Sequence, residues 1–158
     1  FRRYLVSLVR SIRQFNASPE KLAINIEIEA PEELHIALPQ AIPAGLTMNE
    51  ALVNTMKHAF RPGDETPQVK VILRRAGETV LLAVADNGRG LQPSAPQAEP
   101  RNRKRSIGMN LMRGLVRQLE GELCIAPNSS EEVATLLARF ADTPKFASGL
   151  FVGVVFRQ

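Results

Sequence analysis

The stretch that decides the fold is Asn49-Glu-Ala-Leu-Val-Asn-Thr-Met-Lys-His-Ala-Phe60. Apolar residues recur in and before it at steps of three and four, which predicts a helix over about residues 43–60. Glu50 and Asn54 are four residues apart, so a helix projects both from one face, with Lys57 and His58 one turn further on. A carboxylate and a carboxamide so placed can orient a nucleophile and hold Mg²⁺ through oxygen. Taken alone, the pattern is more typical of a solvated polar face.

A second motif, Asp86-Asn-Gly-Arg-Gly90, comes directly after an apolar strand predicted at residues 79–85. An ionised aspartate at the edge of a core strand needs a hydrogen-bonding partner, and an exocyclic amine such as that of adenine would serve. Gly88 and Gly90 let the backbone approach a ligand closely or adopt positive φ. Asp-Asn-Gly is also typical of a tight turn. A turn would lead straight into another strand, whereas residues 92–105 are rich in Pro, Ala, Gln and Arg, which predicts a mobile segment.

A third motif, Ser106-Ile-Gly-Met-Asn-Leu111, opens a helix predicted over residues 107–119. The first turn of a helix offers free N–H groups and a positive dipole end, which suit an anion. Gly108 permits close approach of such a ligand. The alternative is that Ser106 simply caps the helix.

The remaining segments predict the architecture around these motifs. An amphipathic helix is expected over residues 1–15, and alternating apolar residues predict a strand over 21–30. Strands at 68–75 and 79–85 form a hairpin, followed after the third motif by a strand at 122–126, a capped helix at about 130–140 and a strand at 150–156. This order predicts an α+β fold, a two-layer α/β sandwich with a mixed, mostly antiparallel sheet covered on one face by helices.

The bulk composition fits one globular domain of 158 residues, and because the first residue is Phe1 we expect a piece of a longer protein. Cys124 is the single cysteine and lies in an apolar stretch, which predicts a buried structural thiol in a reducing cytosol. The formal charge of +4 comes largely from two basic clusters. The first is Arg2, Arg3, Arg10 and Arg13, and the second is Arg101, Arg103, Lys104 and Arg105. No aromatic residue is interleaved with the second cluster, so we expect a solvated or phosphate-facing loop and no nucleic-acid partner.

Together and in this order, the motifs resemble the GHKL ATPase superfamily with its Bergerat nucleotide fold, over about residues 21–156. Asn49–Phe60 matches, position by position, the N-box Asn-Glu-x-x-x-Asn-x-x-Lys-His-Ala-Phe of one branch of bacterial sensor histidine kinases. Ala41-Ile-Pro-Ala-Gly-Leu46 and the third motif are also similar to that branch. The resemblance implies an ATP-binding catalytic domain that transfers the γ-phosphate of ATP to a histidine, with ATP and Mg²⁺ as cofactors.

The resemblance also implies roles for individual residues. Asn54 would be the Mg²⁺ ligand, Glu50 the base or polarising group, and Lys57 with His58 would contact phosphate. Asp86 would accept a hydrogen bond from the adenine amine.

Further implied roles concern the boundary of the nucleotide pocket. Gly88 and Gly90 would shape the adenine pocket and the start of an ATP lid at about residues 91–105. When the lid closes, the phosphates would meet Ser106, Gly108, Met109 and Leu111.

The resemblance further implies a domain division and partners. Residues 1–18 would be the end of a dimerisation and phosphotransfer helix or a linker, and residues 19–158 the catalytic domain. Neither His35 nor His58 suits the role of phosphoacceptor, so the chain is expected to bind ATP without phosphorylating itself. Its partners would be its own phosphotransfer domain, a response regulator receiver domain and a second copy bound through the N-terminal helix. The location would be cytoplasmic, with a membrane anchor possible elsewhere in the full-length protein.

Two departures from the family keep alternatives open. Ser148-Gly-Leu150 stands where the family usually has Gly-Thr, and residues 128–147 insert a helix where a short turn is usual. The insert would cover a sheet edge, face a partner or merely decorate the fold. The alternatives are a non-catalytic kinase-like adaptor, another GHKL ATPase of the topoisomerase, mismatch-repair or chaperone type, and a serine-kinase anti-sigma factor. The Lys57-His-Ala-Phe60 ending and the short lid favour the histidine kinase.

Overall fold

The computed structural model of the chain describes residues 1–16, 23–90 and 101–158. The predicted alternation of helices and strands is confirmed, and within these ranges no helix has the length and apolar character needed to cross a membrane. The elements are α1 (Arg2–Asn16), β1 (Asn25–Glu29), α2 (Leu38–His58), β2 (Gln68–Ala76), β3 (Thr79–Asp86), α3 (Arg101–Gln118), β4 (Glu122–Pro127), α4 (Glu131–Ala138) and β5 (Leu150–Arg157).

The strands form one five-stranded sheet in the order β1-β2-β3-β5-β4. β1 runs parallel to β2, and the other neighbouring pairs are antiparallel. The hairpin between β2 and β3 turns at Gly77, whose φ of 59° lies in the left-handed region. The predicted α+β class with a mixed, mostly antiparallel sheet is confirmed. β3 occupies the centre, as its nearly continuous apolar sequence predicts.

Helices α1, α2 and α3 cover one face of the sheet and share one core. α2 buries Met48 and Leu52 against the strands, and α3 adds Met112. α1 is amphipathic as predicted, and its buried residues Leu5, Val9 and Ile12 belong to this same core. The apolar side of α1 is therefore covered by the chain itself.

Helix α4, formed by the 128–147 insert, packs against the opposite face of the sheet. Its buried residues Val133, Leu136 and Leu137 meet strand residues such as Leu81 and Phe151. Ser130 caps the helix, because its Oγ accepts a hydrogen bond of 3.3 Å from the backbone N–H of Val133. The sequence predicts helices on one face only. The structure adds α4 on the other, so the insert covers part of that face, next to the edge strand β4.

Two helices begin earlier than the sequence predicts. α2 begins at Leu38 instead of about residue 43, because Pro39 occupies its first turn and Pro43 is tolerated inside the helix. α3 begins at Arg101 instead of residue 107, since the intervening Arg and Lys residues favour helix and no Gly or Pro interrupts them. The predicted lid therefore overlaps α3 at residues 101–105, and residues 91–100 lie outside the described part of the chain.

A network of ion pairs joins the insert to the first two strands, and we call it the Glu29 network. Glu29 pairs with Lys70 at 2.7 Å, with Arg74 at 2.6 Å and with Lys145 at 3.1 Å. Asp142 pairs with Arg74 at 2.9 Å and with Lys145 at 2.5 Å. Partial burial opposes ionisation of Glu29, but the three cations outweigh it and lower the pKa of Glu29 to about 2.

Candidate functional site

A cavity of about 270 Å³ lies between α2, α3 and the strands that end beside them. It brings together six residues that the sequence singles out: Asn54, Lys57, His58, Asp86, Gly90 and Met109. Other residues complete the walls, namely Ala51, Thr55, Ala59, Arg89, Met112, Ile125, Leu150 and Val152. The α2 wall is largely polar, whereas α3, β4 and β5 contribute apolar side chains. The volume of the cavity is close to the lower end of the range for small-molecule sites.

Asp86 is the buried carboxylate of this cavity, with 2% of its surface exposed. Its Oδ1 accepts hydrogen bonds from the backbone N–H groups of Gly88 at 2.9 Å and Leu150 at 3.2 Å. Its Oδ2 accepts a longer bond of 3.5 Å from Thr55 Oγ1. Burial raises the pKa of Asp86, and these bonds oppose that rise. All three donors are neutral, and a carboxylate has about four acceptor sites, so capacity remains for a donor from a ligand.

Glu50 and Asn54 form the predicted pair on one face of α2. Asn54 Nδ2 donates a hydrogen bond to Glu50 Oε1 at 3.2 Å. The carbonyl oxygen of Asn54 is therefore the atom of this side chain that can bind a cation. Gly108 of α3 packs directly on this pair, because a Cβ at position 108 would collide with Glu50 Oε1. Glu50 and Gly108 therefore lie beside the cavity without lining it.

The two glycines after Asp86 have different roles. Gly88 packs against the end of α2, since a Cβ there would collide with the carbonyl oxygen of Ala59. Arg89 reinforces this contact, because its backbone N–H donates to the same oxygen at 3.1 Å. Gly88 therefore fastens β3 to α2 and does not line the cavity, whereas Gly90, with φ of 67°, does.

The remaining predicted site residues are less closely tied to the cavity. Leu111 is 50% exposed and is not among the lining residues. The side chains of Ser106 and of the basic residues 103–105 lie outside the described part of the chain. Cys124 is a buried thiol, as predicted, and burial together with Glu132 raises its pKa to about 12.

Sequence reasoning missed several residues around Asp86. Thr55 and Leu150 contribute hydrogen bonds that depend on contacts 31 and 64 residues apart in the chain. Leu150 stands where the resemblance implies a threonine, and it contacts Asp86 through its backbone N–H. Asn128 is fully buried, and its Nδ2 donates to the carbonyl oxygens of Asp86 and Ser148, each at 2.7 Å.

Comparison with known proteins supports this picture of the fold. The sequence model of a family described as "Histidine kinase-like ATPase domain" matches residues 9–124. No curated protein matches the chain.

Solved structures that are similar to the chain include those of three histidine kinases. The Erythrobacter litoralis EL346 blue-light activated histidine kinase has a TM-score of 0.69 at 20% identity, with 98% of this chain and 41% of that one covered. The mycobacterial sensor histidine kinase MprB has a TM-score of 0.64 at 16% identity, with coverage of 98% and 93%. The Acinetobacter baumannii histidine kinase AdeS has a TM-score of 0.64 at 8% identity, with coverage of 99% and 64%. The chain thus spans less than half the length of the first of these proteins.

Proposed function

The chain belongs to the histidine kinase-like ATPase domain family, and from this premise we propose that it is the ATP-binding catalytic domain of a sensor histidine kinase. It transfers the γ-phosphate of ATP to a histidine outside these 158 residues. The observation that carries the proposal is that Asn54 and Asp86 line one cavity. One supplies an oxygen suited to Mg²⁺, and the other a buried acceptor suited to an exocyclic amine.

The base of ATP is recognised through Asp86. Its carboxylate accepts a hydrogen bond from the 6-amino group of adenine, while Thr55 and the N–H groups of Gly88 and Leu150 hold the carboxylate in place. The flat base lies among apolar side chains, which exclude water and strengthen that hydrogen bond: Met112, Ile125, Leu150 and Val152.

The phosphates are handled by the polar side of α2. Asn54 would hold Mg²⁺ through its carbonyl oxygen. Lys57 and His58 line the cavity one turn further on and would contact phosphate there. When bound, the metal ion neutralises charge between the phosphates. Glu50 is hydrogen-bonded to Asn54 and acts as the base or polarising group for the incoming histidine. These residues accelerate the reaction by positioning and charge neutralisation.

The partners follow from the same proposal. The phosphoacceptor histidine belongs to a phosphotransfer domain of the same kinase, and the phosphate then passes to a response regulator receiver domain. Residues 1–18 connect the two domains. A homodimer formed through α1 would use the side of this helix that faces away from the core, because Leu5, Val9 and Ile12 are buried by the chain itself.

The proposal is tested by measuring ATP binding calorimetrically, with and without Mg²⁺. We expect Asp86→Asn to weaken ATP binding about tenfold or more, because the amide presents an N–H to the adenine amine. Asn54→Ala should abolish the gain in affinity that Mg²⁺ provides and leave Mg²⁺-free binding nearly unchanged. Asp64→Asn is the matched control, since Asp64 bonds to the Arg61 backbone N–H in the turn after α2 and does not line the cavity.

Unchanged affinity in both site variants would refute the assigned roles of Asp86 and Asn54. A wild-type chain that binds no nucleotide would instead support the non-catalytic adaptor, for which the replacement of the family's threonine by Leu150 is the specific argument.

A further inference from the structure

Asn128 connects the backbone at Asp86, which lines the cavity, with the backbone at Ser148. It is the first residue after β4 and has 0% of its surface exposed. Its side-chain Nδ2 donates to the carbonyl oxygens of Asp86 and Ser148, and its backbone N–H donates to the carbonyl oxygen of Gly149 at 3.1 Å. One residue of the insert therefore holds the end of β3 and the segment before β5 side by side.

Gly149 makes this close contact possible. Its φ of 85° is in the left-handed region, and a Cβ at this position would collide with the carbonyl oxygen of Asp86. The segment consequently passes in direct contact with the Asp86 backbone. This contact brings the N–H of Leu150 to Asp86 Oδ1 at 3.2 Å.

We propose that Asn128 is a positioning residue for adenine recognition, which holds residues 148–150 against Asp86 and so fixes the direction of its carboxylate. The proposal rests on the proposed function of the cavity. Without Asn128, two buried carbonyl oxygens lose their shared donor, and the segment carrying Leu150 can move away from β3. The carboxylate then keeps its bond from Gly88 but loses the second backbone donor to Oδ1.

The consequence is specific to one group of the ligand. A misdirected carboxylate weakens the bond to the 6-amino group of adenine, while the apolar walls and the residues of α2 still hold the rest of the nucleotide. Loss of Asn128 should therefore reduce the preference for purines that carry this amino group. General destabilisation would weaken all purine nucleotides alike.

The experiment compares ATP with purine riboside triphosphate, which lacks the 6-amino group. We expect the wild-type chain to bind ATP about tenfold more tightly than the analogue, which is the contribution of about one well-aligned hydrogen bond. Asn128→Ala should reduce this ratio to about twofold, because the bond to the 6-amino group is then poorly aligned. Ser130→Ala is the control, because it removes the cap of α4 in the same insert without touching Asp86. It should lower the melting temperature and keep the tenfold ratio.

Circular dichroism and thermal melting establish that each variant is folded. If Asn128→Ala does not fold, the same ratio of affinities is measured for Asn128→Ser, whose shorter side chain cannot bridge both carbonyl oxygens. A folded Asn128 variant that keeps the wild-type ratio overturns the positioning role. Equal binding of both nucleotides by the wild type overturns the adenine role of Asp86 itself, and with it the proposed function of the cavity.

Discussion

At the scale of single residues, the ligand recognition proposed for Asp86 needs its charged carboxylate, whereas the stability of the fold favours the neutral form. The carboxylate is 2% exposed and bonded only to neutral donors, so its charged form is poorly solvated and its pKa is raised. A folded-state pKa above the ordinary value means that its contribution to stability is full at low pH. That contribution is lost as pH rises through the folded-state pKa.

We therefore predict that Asp86→Asn stabilises the fold at pH 8 while it impairs ATP binding. The asparagine oxygen still accepts from Gly88 and Leu150, and its amide can donate to Thr55 Oγ1, so the bonds persist without the buried charge. The melting temperature of the variant should exceed that of the wild type by a few degrees at pH 8. This difference should shrink as pH falls toward the ordinary Asp value of 3.8. A variant less stable than the wild type at both pH values would contradict the prediction.

The sequence singles out Asn54 and Asp86, which line one cavity, because their motifs are local, within a helix and directly after a strand. It does not identify Asn128 or Leu150, because their contacts with Asp86 join residues 42 and 64 positions apart. Such contacts depend on the register between β3 and β5, in which Ala85 lies opposite Phe151. No local pattern encodes that register.

At the scale of elements, the packing of α3 on α2 depends on a glycine. Gly108 and Gly114 both lie in α3, and alanine at either position favours helix. Nothing lies within 4 Å of a Cβ at position 114, whereas at position 108 it would collide with the Glu50 carboxylate. Alanine substitutions at these two positions can therefore be compared directly, because only the one at position 108 would disturb Glu50.

We expect Gly114→Ala to raise the free energy of unfolding by about 0.5–1 kcal/mol, the usual cost of glycine in a helix. Gly108→Ala should also fold, since the colliding atom is the far end of a side chain that can rotate. It should displace Glu50 from Asn54 and weaken MgATP binding, whereas Gly114→Ala should not. Urea unfolding and calorimetry measure the two effects. Equal MgATP affinities in both variants would show that the position of Glu50 is unimportant for binding.

Helix starts were the least predictable features of the elements. Pro43 is typical of a first helical turn, yet α2 begins five residues earlier because Pro39 takes that place. The helical start of α3 at Arg101 lies within a basic segment poor in apolar residues, so hydrophobic periodicity gave no signal there. The bounds of β2, β3, β4 and β5 agree with the predicted ones within one residue, since apolar runs and the turn at Gly77 are local signals. β1, by contrast, begins at Asn25 instead of residue 21.

At the scale of the whole molecule, α4 adds one short helix to the face of the sheet that α1, α2 and α3 leave uncovered. The apolar character of β3 on both faces is the sequence signal for this arrangement, because a strand exposed to water on one face would alternate. The position of α4 was not predictable from local patterns, since its buried residues meet strands from distant parts of the sequence. The insert is also tied to β1 by the ion pair between Glu29 and Lys145, which lie more than 100 residues apart.

We predict that Glu29→Gln destabilises the protein by about 1–3 kcal/mol at pH 6, because three cations lose a partly buried partner. The folded-state pKa of about 2 lies below the ordinary value of 4.5, so this stabilisation is present above pH 4.5 and is lost as pH falls toward 2. Urea unfolding across this range should show the difference between wild type and variant disappearing.

Glu32→Gln provides the control for this prediction. Glu32 pairs with Arg2 at 3.1 Å, but its side chain is 83% exposed, so its removal should change stability by less than about 1 kcal/mol. A Glu29 variant that behaves like the Glu32 variant would show that the network does not anchor the insert.

The unequal chemistry of the cavity walls has a consequence for inhibitor design. Asn54, Lys57 and His58, which suit a metal-bound phosphate, come from α2, whereas α3, β4 and β5 contribute apolar side chains near the Asp86 carboxylate. A flat, uncharged heteroaromatic amine can donate to Asp86 and fill the apolar side without any group that mimics a triphosphate. Under the proposed function, such a compound would compete with ATP without depending on a divalent cation, and the absence of charge would let it cross lipid bilayers that nucleotides cannot.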